Sequence, residues 1–412
     1  MIEKFFKVGE EVKREDVNAF LLRLLPYYFF VIWVFIVIGA WNQVRFREGY
    51  NIGEWLINYE GGFVRRGFVG ECLYLLARLT GVTPLIYLVI LQGIIFAVYF
   101  YFSWRMLREK SDLVKYAFLI FSPFLFTFAI NSQAGGYRKE IIYFAVLSYV
   151  TYGYSFFERK KFERIFALVL LFYPLVILTD ELGLVVIPLL LGLYWNKVKP
   201  DFSNSNTIFS LPVFLMFLNF LTFAGVILYH QASNHQITDI VNSLRSEGVP
   251  PLKGGGIDAL GWSTKANLNG TIHSIIYGHY FIYYPILIIM CSLAFIPLKN
   301  QLKIVFKSRQ ILLGLLMSCA LLIPVYIIAN DWGRWTYILI VETFMATLAN
   351  DEGVVINKDL FSSVKWKKMR VWSFSLFSIV LISYSFFWYL PHMLPDDSSW
   401  RSFIHNVPFI RG

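Results

Sequence analysis

Apolar runs long enough to cross a hydrocarbon layer recur along the whole chain, and they decide what it can fold into. They lie near residues 22–42, 84–104, 116–130, 141–157, 208–229, 275–298, 311–329, 335–349 and 371–391, set against a bilayer core of about 30 Å. In that solvent each segment must satisfy its own backbone N–H and C=O groups, which selects helices. Charge agrees: 16% of the 412 residues are charged and 57% hydrophobic, where a soluble domain carries about 25% charged residues. The reading is an all-α, polytopic integral membrane protein, a single transmembrane domain over residues 1–412. The charged segment Met1–Arg23 leads into the apolar run Leu24–Trp41 without a small-residue cleavage site, and so reads as an anchor. With Cys291 and Cys319 in apolar runs and Cys72 in a loop, no disulfide is expected.

One stretch fixes the topology. From Ile165 to Trp195 the chain is apolar except for Thr179, Asp180 and Glu181 at its midpoint. Arg159, Lys160, Lys161 and Arg164 precede it, while Lys197 and Lys199 follow it. Basic residues collect on the cytoplasmic side, so a hairpin with Asp180 and Glu181 at its outer tip keeps both flanks inside. That choice gives about eleven transmembrane helices, a cytoplasmic N-terminus and an external C-terminal segment. The external loops fall near residues 43–83, 131–140, 179–182, 230–274, 330–334 and 392–412. On this topology the external face carries 3 lysines and 10 arginines. Arginine held outside against the topological rule points to its planar fork, which suits phosphate or carboxylate. The competing use is pairing with external acids or lipid headgroups.

The polar motifs gather on that face. Glu60-Gly61-Gly62-Phe63-Val64-Arg65-Arg66-Gly67 precedes residues 68–80, whose apolar spacing predicts an interfacial helix closed by Gly81. Glycines before a helix let amides approach an anion, and Arg65 and Arg66 add charge-assisted donors; a turn holding headgroups is the alternative. Gly135-Gly136-Tyr137-Arg138-Lys139-Glu140 lies between two short apolar runs, which draws its charges towards membrane depth. Arg138 and Lys139 suit a phosphate and Glu140 a base, or Arg138 and Glu140 pair with each other. The pair Asp180-Glu181 at the hairpin tip offers a further candidate base, Asp180, or a countercharge for the arginines. Asn330-Asp331-Trp332-Gly333-Arg334-Trp335 puts a carboxylate, a guanidinium and two indoles in one turn, a composition suited to a sugar or to an interfacial tryptophan belt. Glu342 is the one carboxylate read as lying well inside a helix. The loop 230–274 is read as a lid around Pro250-Pro251-Leu252-Lys253-Gly254-Gly255-Gly256.

The candidate catalytic residues are therefore Glu60, Glu140, Asp180 and Asp331. Candidates for substrate binding are Arg65, Arg66, Arg138, Lys139, Trp332, Arg334, Trp335 and Arg245. The six histidines have no metal-ligand spacing, and no Walker loop or dinucleotide fingerprint occurs; no metal, cofactor or nucleic-acid partner is expected. A transporter places its polar site near the midplane between repeated halves, whereas these motifs are one-sided and suit an enzyme acting on a lipid-delivered substrate.

The three motifs around Glu60–Gly67, Gly136–Glu140 and Asp331–Trp335, spread over eleven helices, resemble those of Wzy-type O-antigen or capsular polysaccharide polymerases. Arg245 and Gly256 repeat an Arg–Gly spacing found in external loops of some relatives, though no second copy occurs. A wider similarity is to GT-C-type membrane glycosyltransferases, whose first-loop acid Glu60 would match. The resemblance implies a bacterial inner-membrane enzyme that moves a glycan from undecaprenyl diphosphate to a sugar hydroxyl of the next lipid-linked repeat unit. It implies no cofactor, and membrane lipid, a chain-length regulator and a flippase as partners.

Overall fold

A computed structural model of the chain describes residues 14–199, 211–228, 231–252, 255–349, 371–399 and 401–404. The cytoplasmic segment expected before residue 14, much of the lysine-rich loop around residues 350–370, and the end of the external tail lie outside the described residues. Every regular element described is helical. The long helices are α1 (Arg14–Phe46), α2 (Gly49–Trp55), α3 (Phe68–Thr80), α4 (Pro84–Arg108), α5 (Glu140–Phe156), α6 (Arg159–Thr179) and α7 (Ile187–Val198). They continue with α8 (Leu211–Leu228), α9 (Asn234–Ser246), α10 (Thr264–Tyr277), α11 (Tyr280–Leu293), α12 (Lys299–Lys307), α13 (Arg309–Ile328), α14 (Trp332–Ala349) and α15 (Val371–Phe386). Among the described residues, 6 helical segments are long and apolar enough to cross a membrane, or 7 if the bent pair α10–α11 forms one span.

The run Ile165–Trp195 is two segments meeting at Asp180: α6, then a 3-10 stretch Glu181–Val186 that runs into α7. Asp180 takes an extended conformation and accepts a hydrogen bond from Leu182 N through its side chain, which starts the second arm. α3 has the bounds its apolar spacing predicts, and Gly81, with φ 71°, ends it in the left-handed conformation that glycine adopts without strain. Its inner face is Gly70, Leu73, Tyr74 and Ala77, while Leu75, Leu76 and Leu79 stand exposed.

Three expectations need correction. Residues 116–130 form no continuous span: the chain makes one-turn helices at Leu113–Tyr116, Ala117–Ile120, Phe128–Asn131 and Gln133–Gly136. Fifteen apolar residues rise only about 22 Å as a helix, and Pro123 cannot continue one; the run instead packs inside, with Tyr116, Phe124, Phe126 and Phe128 buried. The run 275–298 is bent by 78° between α10 and α11, at Gly278 and a left-handed His279. The stretch 230–274, expected to be an external loop without helical periodicity, carries helix α9 and most of α10, with α9 opened by a reciprocal cap in which the Ser233 side chain accepts from Gln236 N and the Gln236 side chain from Ser233 N.

Close packing in lipid relies on small residues. α7 lies along α13, where a Cβ on Gly314 would sit 2.6 Å from Pro188 O and one on Gly192 2.6 Å from Gln310 O. α5 packs on α4 and on α14. α14 is buried on almost every side, including Arg334 and Glu342, so it is a central helix around which the others stand.

Candidate functional site

Five basic and five acidic side chains from separate segments meet where α2, the 58–67 loop, the 137–140 turn, the hairpin tip and the start of α14 converge. Arg65 Nη1 donates to Glu181 at 2.8 Å, and Arg66 holds the same carboxylate through Nε at 3.0 Å. Arg66 also reaches Glu54, its Nη1 donating at 3.3 Å. Arg138 Nη1 donates to the other oxygen of Glu54 at 2.8 Å. Arg334 donates through Nε to Glu140 at 2.8 Å and through Nη1 to Asp331 at 2.8 Å. Lys139 Nζ donates to Arg66 O at 2.7 Å. Asp180 lies behind Arg66, 3.9 Å from its Nε. Apart from Arg65, Arg66 and Asp331 all of these groups are buried. An unpaired charge there would cost several kcal/mol, so the balance of sign is what allows the cluster to exist.

Local structure explains how the groups arrive. Trp55 at the end of α2 donates to Tyr137 O at 2.7 Å, tying Glu54 to the turn that carries Arg138. A Cβ on Gly70 would overlap Ile57 O, so glycine at the start of α3 lets the first loop lie flat against it. Gly333 N donates to His392 O at 3.0 Å, and a Cβ on Gly333 would overlap Pro391 O. The C-terminal segment thereby covers the start of α14. His392 is fixed there by Ser132, whose hydroxyl lies 3.3 Å from Nδ1.

Burial raises the proton affinity of the Glu54 carboxyl, but Arg138, Arg66 and Arg334 more than offset it and hold the group well below the usual carboxylate range. Asp331 is lowered in the same way, Arg334 and Arg138 outweighing burial. Burial brings Lys139 down to about 8, with Glu54 and Asp180 opposing. Burial likewise pushes His392 down to about 4, Asp331 opposing and Arg138 and Arg334 reinforcing.

Beside this network lies a cavity of about 890 Å³. One wall is Arg65, Arg66, Glu181, Asp331, Arg334 and Trp335. The lining also has an apolar part: Phe223 and Ile227 from α8, Leu321, Val325 and Ile328 from α13, and Val185 from the hairpin. Several of these apolar side chains are partly exposed, Ile227 by 45% and Ile328 by 41%. Two cavity residues hold hydrogen-bonding atoms without partners among the described residues, Arg65 Nε and Trp335 Nε1. Behind the wall the same is true of Glu140 Oε2 and Asp180 Oδ2.

The sequence candidates divide accordingly. Arg65, Arg66, Asp331, Arg334 and Trp335 line the cavity; Arg138, Lys139, Glu140 and Asp180 stand behind it in the network. The pair Arg138–Glu140 does not form, because each takes a partner from another helix. Glu60 lies on the exposed surface of its loop. Arg245 is exposed on α9 and lines a separate cavity of about 170 Å³ with Gly49, Gly53 and Asp258. Trp332 packs against Tyr280, Phe281, Tyr284 and Tyr326, its Nε1 donating to Tyr326 O at 2.9 Å. Glu181 takes the countercharge role that the hairpin-tip acids offered as an alternative, whereas Glu54 and His392 are not among the sequence candidates. Glu54 had a signal, as the one acid between Ile52 and Ile57 in an apolar run; His392 had none.

No family model, curated protein or solved structure matches the chain. What the site does is therefore read from its own chemistry.

Proposed function

We propose that the protein is a membrane glycosyltransferase that polymerises lipid-linked oligosaccharide repeat units. It transfers a glycan chain from undecaprenyl diphosphate to a sugar hydroxyl of the incoming unit on the periplasmic side of the bacterial inner membrane. In this reading the chain has about eleven spans, a cytoplasmic N-terminus and a periplasmic C-terminus, and a flippase and a chain-length regulator act beside it. The observation that carries the reading is the mixed lining of the cavity. A lining that combines arginines with apolar side chains from α8 and α13 suits an amphiphile with an anionic head and a hydrocarbon chain.

In the reaction the acceptor hydroxyl oxygen forms a bond to the anomeric carbon of the donor glycan as the bond from that carbon to the diphosphate oxygen breaks. The electron pair leaves with the diphosphate, where Arg65, Arg66 and Arg334 stabilise the developing charge. The hydroxyl proton passes to a carboxylate. Asp331 is assigned that role because it lines the cavity, and of its two oxygens Arg334 binds Oδ2. Glu140 and Glu54 act indirectly, by holding Arg334 and Arg138 in place.

Deleting the gene should leave single repeat units on the surface glycolipid, with export intact. Lipid-linked units trapped in the cytoplasmic leaflet would instead mean an oligosaccharide transporter. Addition of one monosaccharide from a polyprenyl-phosphate sugar, without chain growth, would mean a single-sugar GT-C-type transferase.

A further inference from the structure

Two aromatic rings of the cavity stand at the edge of the ion-pair network. Tyr50 and Trp262 both line the cavity, their ring centroids 6.4 Å apart and their planes at 54°. Arg138 occupies one face of Tyr50, its guanidinium carbon 4.0 Å from the centroid. Trp262 is 49% exposed. Thr264 and Asn267, on the first turn of α10, line the cavity beside the indole.

The placement of Trp262 is held by backbone contacts. A Cβ on Gly53 would lie 3.3 Å from the amide nitrogens of Gly256 and Ile257, and one on Gly256 would overlap Tyr50 O and Glu54 N. The segment from Gly256 onward is thus seated directly on α2, the helix that carries both Tyr50 and Glu54. Its far end is tied down as well: Ala232 N donates to Leu260 O at 2.9 Å, and Gln231 Nε2 to Gly261 O at 3.0 Å. Ser263 then caps α10 by accepting from Ala266 N at 3.2 Å.

We propose that Tyr50 and Trp262 form the sugar-binding end of the cavity. A pyranose ring packs against them through its apolar C–H face, while Thr264 and Asn267 hydrogen-bond its hydroxyls. Gly53 and Gly256 are positioning residues that seat the platform. A hydrocarbon chain would leave the threonine and asparagine unsolvated, and a bare phosphate would make no use of the rings; a sugar presents both apolar faces and hydroxyl edges. The proposal rests on the reading of the cavity as a lipid-linked glycan site and adds where the glycan lies. It also moves the sugar contact from Trp332, which is occupied by packing, to Trp262.

The test uses the full chain in nanodiscs and two probes: undecaprenyl diphosphate, and the undecaprenyl-diphosphate-linked oligosaccharide extracted from the cells that make the protein. Wild type should bind the glycosylated lipid more tightly. Trp262→Ala should lose that preference, weakening it by roughly 2- to 12-fold, and keep its affinity for undecaprenyl diphosphate. Gly256→Ala should weaken the preference as well, and Trp262→Phe should restore most of it. If Trp262→Ala retains the full preference, or wild type shows none, the platform is wrong while the lipid site stands. If wild type binds neither lipid, the glycan-lipid reading falls and the platform falls with it.

Discussion

Glu54→Gln removes the carboxylate that holds two arginines at once, and the structure sets the size of the effect. Glu54 is 2% exposed, with Arg138 at 2.8 Å and Arg66 at 3.3 Å on its two oxygens. Arg66 keeps Glu181 when Glu54 is neutralised, whereas among the described residues Arg138 keeps as direct contacts the Ala134 carbonyl at 2.9 Å and the ring of Tyr50. The loss therefore falls on one buried guanidinium stripped of its direct ion-pair partner, with Asp331 and Glu140 acting on it only at longer range; breaking a buried pair costs about 3 to 5 kcal/mol. Unfolding of the purified protein in mixed micelles, followed by tryptophan fluorescence, measures it. Arg138→Gln alone and the double variant complete a cycle whose coupling energy should reach about 1 to 3 kcal/mol. Glu60→Gln is the control, since Glu60 is exposed, and it should change stability by less than about 0.5 kcal/mol. A Glu54→Gln protein as stable as wild type, or a cycle with no coupling, would refute the network as drawn.

Three further outcomes are expected. His392 has its proton affinity depressed to about 4 by burial, below its unfolded value, so the stability it confers is present above about pH 6.5 and is lost as pH falls towards 4; His392→Gln should flatten that part of the thermal stability profile, and an unchanged slope would remove the assignment. Glu342 is buried with neither carboxyl oxygen bonded among the described residues, so the uncharged Glu342→Gln should melt within a few degrees of wild type, and a large loss in a thermal-shift assay would mean a missing cationic partner. In a background lacking Cys72, Cys291 and Cys319, an impermeant maleimide applied to intact spheroplasts should label Ser246→Cys and spare Ser308→Cys; labelling at Ser308 would invert the hairpin argument.

The sequence by itself determined the class of molecule, because an apolar run must place its backbone hydrogen bonds within itself whatever its neighbours are. The same local logic gave α3 its limits: its apolar spacing, Gly81 and Pro84 are all features of adjacent residues. It also brought most of the polar wall into view, since Arg65, Arg66, Asp331 and Arg334 stand out as charges beside apolar runs. Tertiary structure decided which charge meets which. Glu140 is two residues from Arg138 but pairs with Arg334, 194 residues away, and Arg138 reaches back 84 residues to Glu54. Such choices depend on how helices pack, and the cost of a buried unpaired charge then allows no other pairing. The same holds for the two indoles: Trp332 and Trp262 are alike as residues, and only the packing of α11 against the one and the seating of Gly256 beneath the other separate a core side chain from a cavity wall.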